Sequence, residues 1–153
     1  MLPYEKVKLV IVGDSGVGKT TVLNHLLQKQ SVQPVATIGI DLYVHTHTIN
    51  NIPVKFQLWD TTGLEGFRSN VLQHLNGTDA TILVHDSTEP LEPYISKWIP
   101  SIQTHSSSPI FVFHTKGPCE KIHDSSYIDL GTISQDNTIF NTMYTYIKVS
   151  RGF

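Results

Sequence analysis

Residues 7–20 read VKLVIVGDSGVGKT, and this stretch decides the fold. Five of its first six side chains are apolar and four are β-branched, which is typical of a strand buried in a sheet. The next eight residues, 13–20, fit the pattern G-x-x-x-x-G-K-[S/T] in full. Apolar side chains then recur at helical spacing from Val22 to Leu27. A strand, a glycine-rich turn and a helix in this order predict a phosphate-binding loop.

The residue types in this loop suit the chemistry of phosphate. Glycines let backbone N–H groups turn inward around phosphate oxygens, and the helix that follows adds partial positive charge at its N-terminus. Lys19 is expected to reach the β- and γ-phosphates, and the Thr20 hydroxyl to ligate Mg²⁺. The alternative, a glycine-rich turn that binds nothing, is disfavoured because pattern and context both match. The predicted nucleotide-binding residues of the loop are Gly13, Asp14, Ser15, Gly16, Val17, Gly18, Lys19 and Thr20.

Length and composition restrict the class of protein. The chain has 153 residues, about one domain, and we predict a single domain over residues 1–153. A formal net charge of −2 argues against nucleic acid as a partner, and a single Cys excludes internal disulfides. No apolar run is long enough to span a membrane, and neither end carries a signal peptide or lipidation motif. We expect a cytoplasmic protein that has no lipid anchor of its own and reaches membranes only through partners.

The remaining pattern predicts strands separated by segments long enough for helices. Apolar and polar residues alternate from Ile40 to Val44 and from Val54 to Leu58, on either side of a turn signal at Asn50-Asn51, which predicts a hairpin. Residues 30–39 are mostly polar and contain Pro34, which predicts a loop, and the weakly patterned stretch 120–138 is expected to be irregular or to contain a short helix. Strands joined through helices imply a mostly parallel sheet. The other predicted elements are strands at 79–85, 109–114 and 143–149 and a helix between Leu91 and Ile102.

Three motifs resemble those of Rab-type small GTPases of the Ras superfamily: GDSGVGKT (13–20), TIGID (37–41) and WDTTG (59–63). The resemblance runs from about residue 4 to residue 114. It implies a P-loop GTPase fold, a mostly parallel six-stranded sheet with one antiparallel edge hairpin and helices on both faces. Little sequence follows the predicted strand at 143–149. We therefore expect the family's final helix to be missing, leaving a partly uncovered sheet face for a dimer or another partner to cover.

The resemblance also implies roles for residues outside the phosphate loop. Thr37 corresponds to the threonine that ligates Mg²⁺ and senses the γ-phosphate. Asp60 corresponds to the aspartate that holds Mg²⁺ through water, and Gly63 to the glycine whose N–H meets the γ-phosphate. The oxygens of Thr20, Thr37 and Asp60 are the hard ligands that Mg²⁺ prefers. The implied cofactors are Mg²⁺ and GTP or GDP.

One departure from the family concerns hydrolysis. Leu64 stands where the family has the Gln that orients the attacking water. A leucine side chain neither donates nor accepts hydrogen bonds, so hydrolysis of GTP is expected to be slow unless another group positions the water. The catalytic residues implied by the resemblance are thus Lys19, Thr37 and the altered position Leu64.

Other departures concern the base. The guanine motif Asn-Lys-x-Asp appears here as TKGP, residues 115–118. Lys116 can still pack its stem on a base, but Pro118 cannot replace the carboxylate that accepts two N–H groups of guanine. The Ser-Ala-Lys loop of the family appears at best as residues 150–152. The sequence therefore supports nucleoside triphosphate binding more firmly than a preference for guanine.

Histidines invite a metal hypothesis. His45 and His47 share one strand face and could chelate a metal ion, but no third ligand is evident, and solvated side chains are the favoured interpretation. His85 and His114 end buried strands and are predicted to make local hydrogen bonds.

Two functions remain open. The first is a slow, Mg²⁺-dependent GTP-binding switch in vesicle trafficking, with effectors or regulators contacting residues 30–45 and 60–76. The alternative is a non-enzymatic pseudo-GTPase that occupies trafficking partners through the same surfaces. The complete phosphate loop favours the first, whereas Leu64 and Pro118 favour the second.

Overall fold

Strands and helices alternate along most of the chain. The computed structural model describes residues 5–27, 35–37, 40–61, 68–117, 124–132 and 138–152. The strands are β1 (Glu5–Val12), β2 (Val35–Thr37), β3 (Ile40–Ile49), β4 (Ile52–Asp60), β5 (Ala80–Asp86), β6 (Ile110–Thr115) and β7 (Ile128–Thr132). The helices are α1 (Lys19–Leu26), α2 (Arg68–Gln73), α3 (Leu91–Gln103) and α4 (Ile139–Ser150).

The strands form one sheet in the order β2-β3-β4-β1-β5-β6-β7. Strands β4, β1, β5, β6 and β7 are parallel to one another, whereas β3 runs antiparallel to both β4 and β2. The predicted fold class is confirmed by the six longer strands. The three-residue β2 adds a seventh strand within a segment predicted to be a loop. Because parallel strands end at one edge of a sheet, the carboxyl ends of β1, β4, β5, β6 and β7 lie side by side.

The predicted hairpin is confirmed as β3 and β4. Asn50 and Asn51 have φ angles of 52° and 64°, the left-handed values that a two-residue type I′ turn requires at both central positions. Asparagine tolerates this region better than most residues, so the turn signal in the sequence has a direct conformational basis.

The last part of the chain corrects two predictions. Residues 143–149 were expected to form a strand, but they belong to helix α4, and the last strand is β7 within the supposedly irregular segment 120–138. The buried side chains of α4 are Phe140, Met143 and Ile147, which recur at the three- and four-residue spacing of a helix rather than the alternation of a strand. Short apolar runs with β-branched and aromatic residues suit both periods.

The prediction of a missing final helix and an uncovered sheet face is therefore wrong. The Phe140 ring packs on Phe56 of β4 with ring centroids 4.7 Å apart, and on His45 of β3 at 4.6 Å. The strand register places Phe56 and His85 on opposite faces of the sheet, and His85 contacts Tyr94 of α3. Among the described residues, helices thus pack on both faces of the sheet, which removes the ground for the predicted dimer or covering partner.

The histidine pair of the hairpin takes part in this packing. His45 and His47 are half-buried rather than solvated, and His47 Nε2 lies 2.6 Å from Asn141 Oδ1 of α4. Burial lowers the pKa of His45, and the neighbouring His47 lowers it further. Among the described residues, no group of three His, Cys, Asp or Glu side chains could hold a metal ion. Likewise, no helix in the described ranges is long and apolar enough to cross a bilayer.

Candidate nucleotide-binding site

The phosphate loop joins β1 to α1 at the carboxyl edge of the sheet. Gly16 and Gly18 have φ angles of 77° and 102°, in the left-handed region that favours glycine. At Gly13 a Cβ atom would approach the Tyr94 hydroxyl oxygen to 2.9 Å and the carbonyl oxygen of Val84 to 3.0 Å. Glycine is thus favoured by backbone conformation at Gly16 and Gly18 and by close packing at Gly13, although the motif itself specifies only Gly13 and Gly18.

Lys19 is the first residue of α1, and its side chain is buried. Its Nζ donates hydrogen bonds to the carbonyl oxygens of Gly13 and Asp14, each at 2.9 Å, so the ammonium group lies against the start of the loop. Thr20 follows as an exposed residue in the first turn of the helix. A cation and a hydroxyl group therefore stand beside a helix N-terminus, whose partial positive charge also favours anions.

Asp60 ends β4 next to the strand that leads into the loop. It is buried and pairs with Ile11 of β1 in the strand register. The following Thr61 donates its hydroxyl hydrogen to the Ile11 carbonyl oxygen at 2.6 Å, which ties the end of β4 to β1. The backbone of Thr37 pairs with Ile40 at the end of β2. Gly63 and Leu64 lie outside the described residues, and the roles of all the predicted site residues stay predictions.

The altered guanine motif holds the phosphate loop in place. At the end of β6, the Thr115 hydroxyl donates to the Val17 carbonyl oxygen. Lys116 Nζ donates to the Gly16 carbonyl oxygen at 2.6 Å and to Asp86 Oδ2 at 2.9 Å. Hydrogen bonds from Thr88 and then from Lys116 lower the pKa of Asp86 to about 2. The predicted base contact of Lys116 therefore competes with two acceptors within the protein. Pro118 lies outside the described residues.

The position predicted for the Ser-Ala-Lys loop of the base site is wrong. Ser150 is the last residue of α4. Arg151, which follows it, binds Asp79 just before β5, at the amino edge of the sheet and away from the phosphate loop. The carboxyl end of β7 instead lies beside the altered guanine motif at the carboxyl edge of the sheet. There the Thr132 hydroxyl donates to the Gly117 carbonyl oxygen at 3.2 Å. This residue was missed because residues 128–132 were not recognised as a parallel strand.

A buried polar chain runs beneath this side of the site. His85 and His114 bind each other through their Nδ1 atoms at 2.9 Å, which confirms the predicted local hydrogen bonding. At one end, His85 Nε2 lies 2.8 Å from the Glu89 carbonyl oxygen; at the other, His114 Nε2 lies 2.9 Å from Asp129 Oδ2. Sequence reasoning missed Asp129, which no motif marks.

The number of hydrogen bonds in this chain determines how many protons the chain must hold. A carbonyl and a carboxylate can only accept, so three hydrogen bonds need three protons, and two neutral imidazoles supply two. The chain therefore holds one additional proton. Burial is the main cause that lowers the pKa of His85, so burial disfavours the charged form of this ring.

The comparisons with known proteins agree with this geometry. The model of the Ras family matches residues 8–137. The Ras-related protein Rab-8B of Homo sapiens is 37% identical over 105 residues, which cover 67% of this chain and 51% of that protein. SEC4 of Saccharomyces cerevisiae is 38% identical over 102 residues, covering 65% and 47%. RABA4d of Arabidopsis thaliana is 33% identical over 115 residues, covering 74% and 52%.

The chain thus spans about half the length of the curated relatives it matches. The family match covers the phosphate loop, the hairpin and every described strand of the sheet except part of β1, which begins at Glu5. The chain therefore belongs to the Ras family, as a Rab-like member.

Proposed function

We propose that this chain is a Mg²⁺-dependent nucleotide switch that binds GTP or GDP chiefly through the phosphates and hydrolyses GTP slowly. The observation that carries the proposal is the complete phosphate loop, in which the buried Lys19 places its ammonium group on the carbonyl oxygens of Gly13 and Asp14. By family resemblance it acts in vesicle trafficking, through effectors or regulators that contact residues 30–45 and 60–76.

The residues present suit Mg²⁺ and phosphate. Thr20 is exposed at the start of α1, and Asp60 is a buried carboxylate at the end of the strand next to β1. By family resemblance, Thr37 would complete a set of hard oxygen ligands. These residues would hold the ion, which when bound neutralises charge on the phosphates. Lys19 contributes a second positive charge, and the N–H groups of the loop bind phosphate oxygens.

Hydrolysis is proposed to be slow because of Leu64. Phosphoryl transfer depends mostly on positioning the water and stabilising charge. The charge-stabilising groups of the loop are retained, while the leucine side chain cannot hold the water by a hydrogen bond.

Guanine preference is proposed to be weak. Pro118 removes two hydrogen bonds to a charged group, each of which contributes about 1.5–3 kcal/mol. Lys116 donates hydrogen bonds to Gly16 and Asp86. These bonds further support a site in which this lysine holds the phosphate loop rather than binding the base.

Binding measurements with matched variants test the proposal. The chain is titrated with a non-hydrolysable GTP analogue with and without Mg²⁺, alongside Lys19→Ala and the control Lys6→Ala. Lys6 is an exposed lysine of β1, so the control removes the same charge away from the loop. We expect binding by wild type and Lys6→Ala that depends on Mg²⁺, and its loss in Lys19→Ala. Equal affinity of all three proteins would contradict the proposal.

A pseudo-GTPase is the second candidate. It is favoured by the way Lys19, Thr115 and Lys116 bind backbone carbonyls of the loop, since these contacts hold the loop in shape from within the protein. In this case nucleotide identified after denaturing protein purified from cells would be absent, and partners would bind equally with or without added GTP.

A further inference from the structure

Three side chains on one side of α3 bind the same residue of the phosphate loop. The Tyr94 hydroxyl accepts a hydrogen bond from Asp14 N at 3.0 Å and donates one to the Val84 carbonyl oxygen at 2.6 Å. The Asp14 carboxylate accepts from Trp98 Nε1 at 2.9 Å and from Lys97 Nζ at 2.7 and 2.8 Å. Because residues three and four apart share a helix face, α3 presents all three groups together.

The buried contacts contribute more to this attachment than the ion pair. Tyr94 and Trp98 are only 9% and 4% exposed, whereas the side chains of Lys97 and Asp14 are 43% and 40% exposed. An exposed ion pair stabilises little and is screened by salt, but a buried polar group that loses its partner is costly. Burial also raises the pKa of Tyr94, so its hydroxyl stays protonated and keeps donating to Val84.

The attachment extends from α3 to the lysine of the loop. Gly13 fits between the Tyr94 hydroxyl and the end of β5, where a Cβ atom would approach both to 3.0 Å or less. The carbonyl groups of Gly13 and Asp14 are the acceptors of Lys19 Nζ. The position of α3 thus determines where these acceptors lie, and with them the ammonium group expected to meet phosphate.

We propose that Tyr94, Lys97 and Trp98 are positioning residues that set the affinity of the loop for phosphate without touching it. The inference rests on the proposed function, because it concerns the same nucleotide site. A loop that α3 already holds in shape has less freedom to lose when a ligand binds. Loosening the attachment should therefore weaken binding of any ligand that carries the phosphates, whatever its base.

The test uses two probes, Mg²⁺ with tripolyphosphate, which has no base, and Mg²⁺ with a non-hydrolysable GTP analogue. Tyr94→Phe removes the hydroxyl and keeps the ring. It should weaken binding of both probes by the same factor, about three- to tenfold, as expected for one ordinary hydrogen bond. The control is Ile102→Val, which trims a fully buried side chain two turns further along α3. It should destabilise the protein but bind both probes like the wild type.

A double-variant cycle shows whether the effect passes through Asp14. Trp98→Phe should weaken tripolyphosphate binding in the wild-type background and have no further effect in an Asp14→Ala background. Wild-type affinity of Tyr94→Phe for both probes, or an equal loss in Ile102→Val, would overturn the inference and leave the proposed function standing. Failure of the wild type to bind either probe would overturn both.

Discussion

Replacing Asp129 with Asn should lower the free energy of unfolding by about 3–5 kcal/mol, the usual loss when one partner of a buried charged pair is removed. The His114 side chain is fully buried and the Asp129 side chain is 2% exposed, with 2.9 Å between Nε2 and Oδ2. Asp129 ends the hydrogen-bonded chain that also contains His85 and His114. The amide of Asp129→Asn keeps the shape and can still accept from Gly131 N, but it carries no charge.

Equilibrium unfolding in urea at pH 7 measures this loss. With a slope of about 2 kcal/mol per M, a loss of about 3 kcal/mol moves the midpoint down by about 1.5 M. Asp124→Asn is the matched control, because Asp124 is an exposed carboxylate of the same segment that accepts from Ser126 N at 2.8 Å. Its midpoint should stay close to that of the wild type. A midpoint of Asp129→Asn within about 0.25 M of the wild type would refute the expected contribution of the buried His114–Asp129 pair.

Four further outcomes are expected. Leu64→Gln should speed single-turnover release of phosphate from GTP, and an unchanged rate would mean that Leu64 does not limit hydrolysis. In competition binding GTP should exceed ATP by less than about 10²-fold, and Thr115→Asn with Pro118→Asp should raise the preference. Because burial lowers the pKa of His85, the unfolded state binds more protons below the ordinary histidine pKa of about 6.5. Stability should therefore fall as the pH falls from about 6.5 towards 5, and less steeply in His85→Gln, as measured by urea unfolding. Phe140→Ala removes the buried ring by which α4 packs on the hairpin, and it should lower the free energy of unfolding by about 3–5 kcal/mol in the same assay.

Local sequence patterns correctly predicted the elements whose conformation is determined by a few consecutive residues. The loop at 13–20 carries its glycines, lysine and threonine in one uninterrupted stretch, and the hairpin carries its turn residues at Asn50 and Asn51. Each of these signals reflects a backbone requirement that only a few residue types meet. The conformation of the phosphate loop therefore followed from the sequence, while the binding roles of its residues stay predictions.

The wrong or missed predictions concern features that depend on contacts between residues far apart in the sequence. The run at 143–149 alternates like a strand, but it belongs to α4, whose buried face includes Phe140, Met143 and Ile147. Phe140 packs on Phe56 and His45, residues far away in the sequence. The pairing of His85 with His114 and the place of Asp129 depend on the register of β5, β6 and β7. The two contacts by which Thr115 and Lys116 hold the loop likewise join residues about 100 positions apart, where no local pattern can act.

The packing of α4 on the sheet has a consequence for folding during synthesis. Lys148 of α4 binds Glu5 at the start of β1 at 2.9 Å, and β1 lies between β4 and β5 in the middle of the sheet. Because Phe140 packs on Phe56, a growing chain leaves this part of the sheet uncovered by α4 until residues 139–150 have left the ribosome. Contacts between β1 and α4 also slow folding, because the intervening chain must be ordered before they form. During synthesis this face is the expected place for a chaperone to bind.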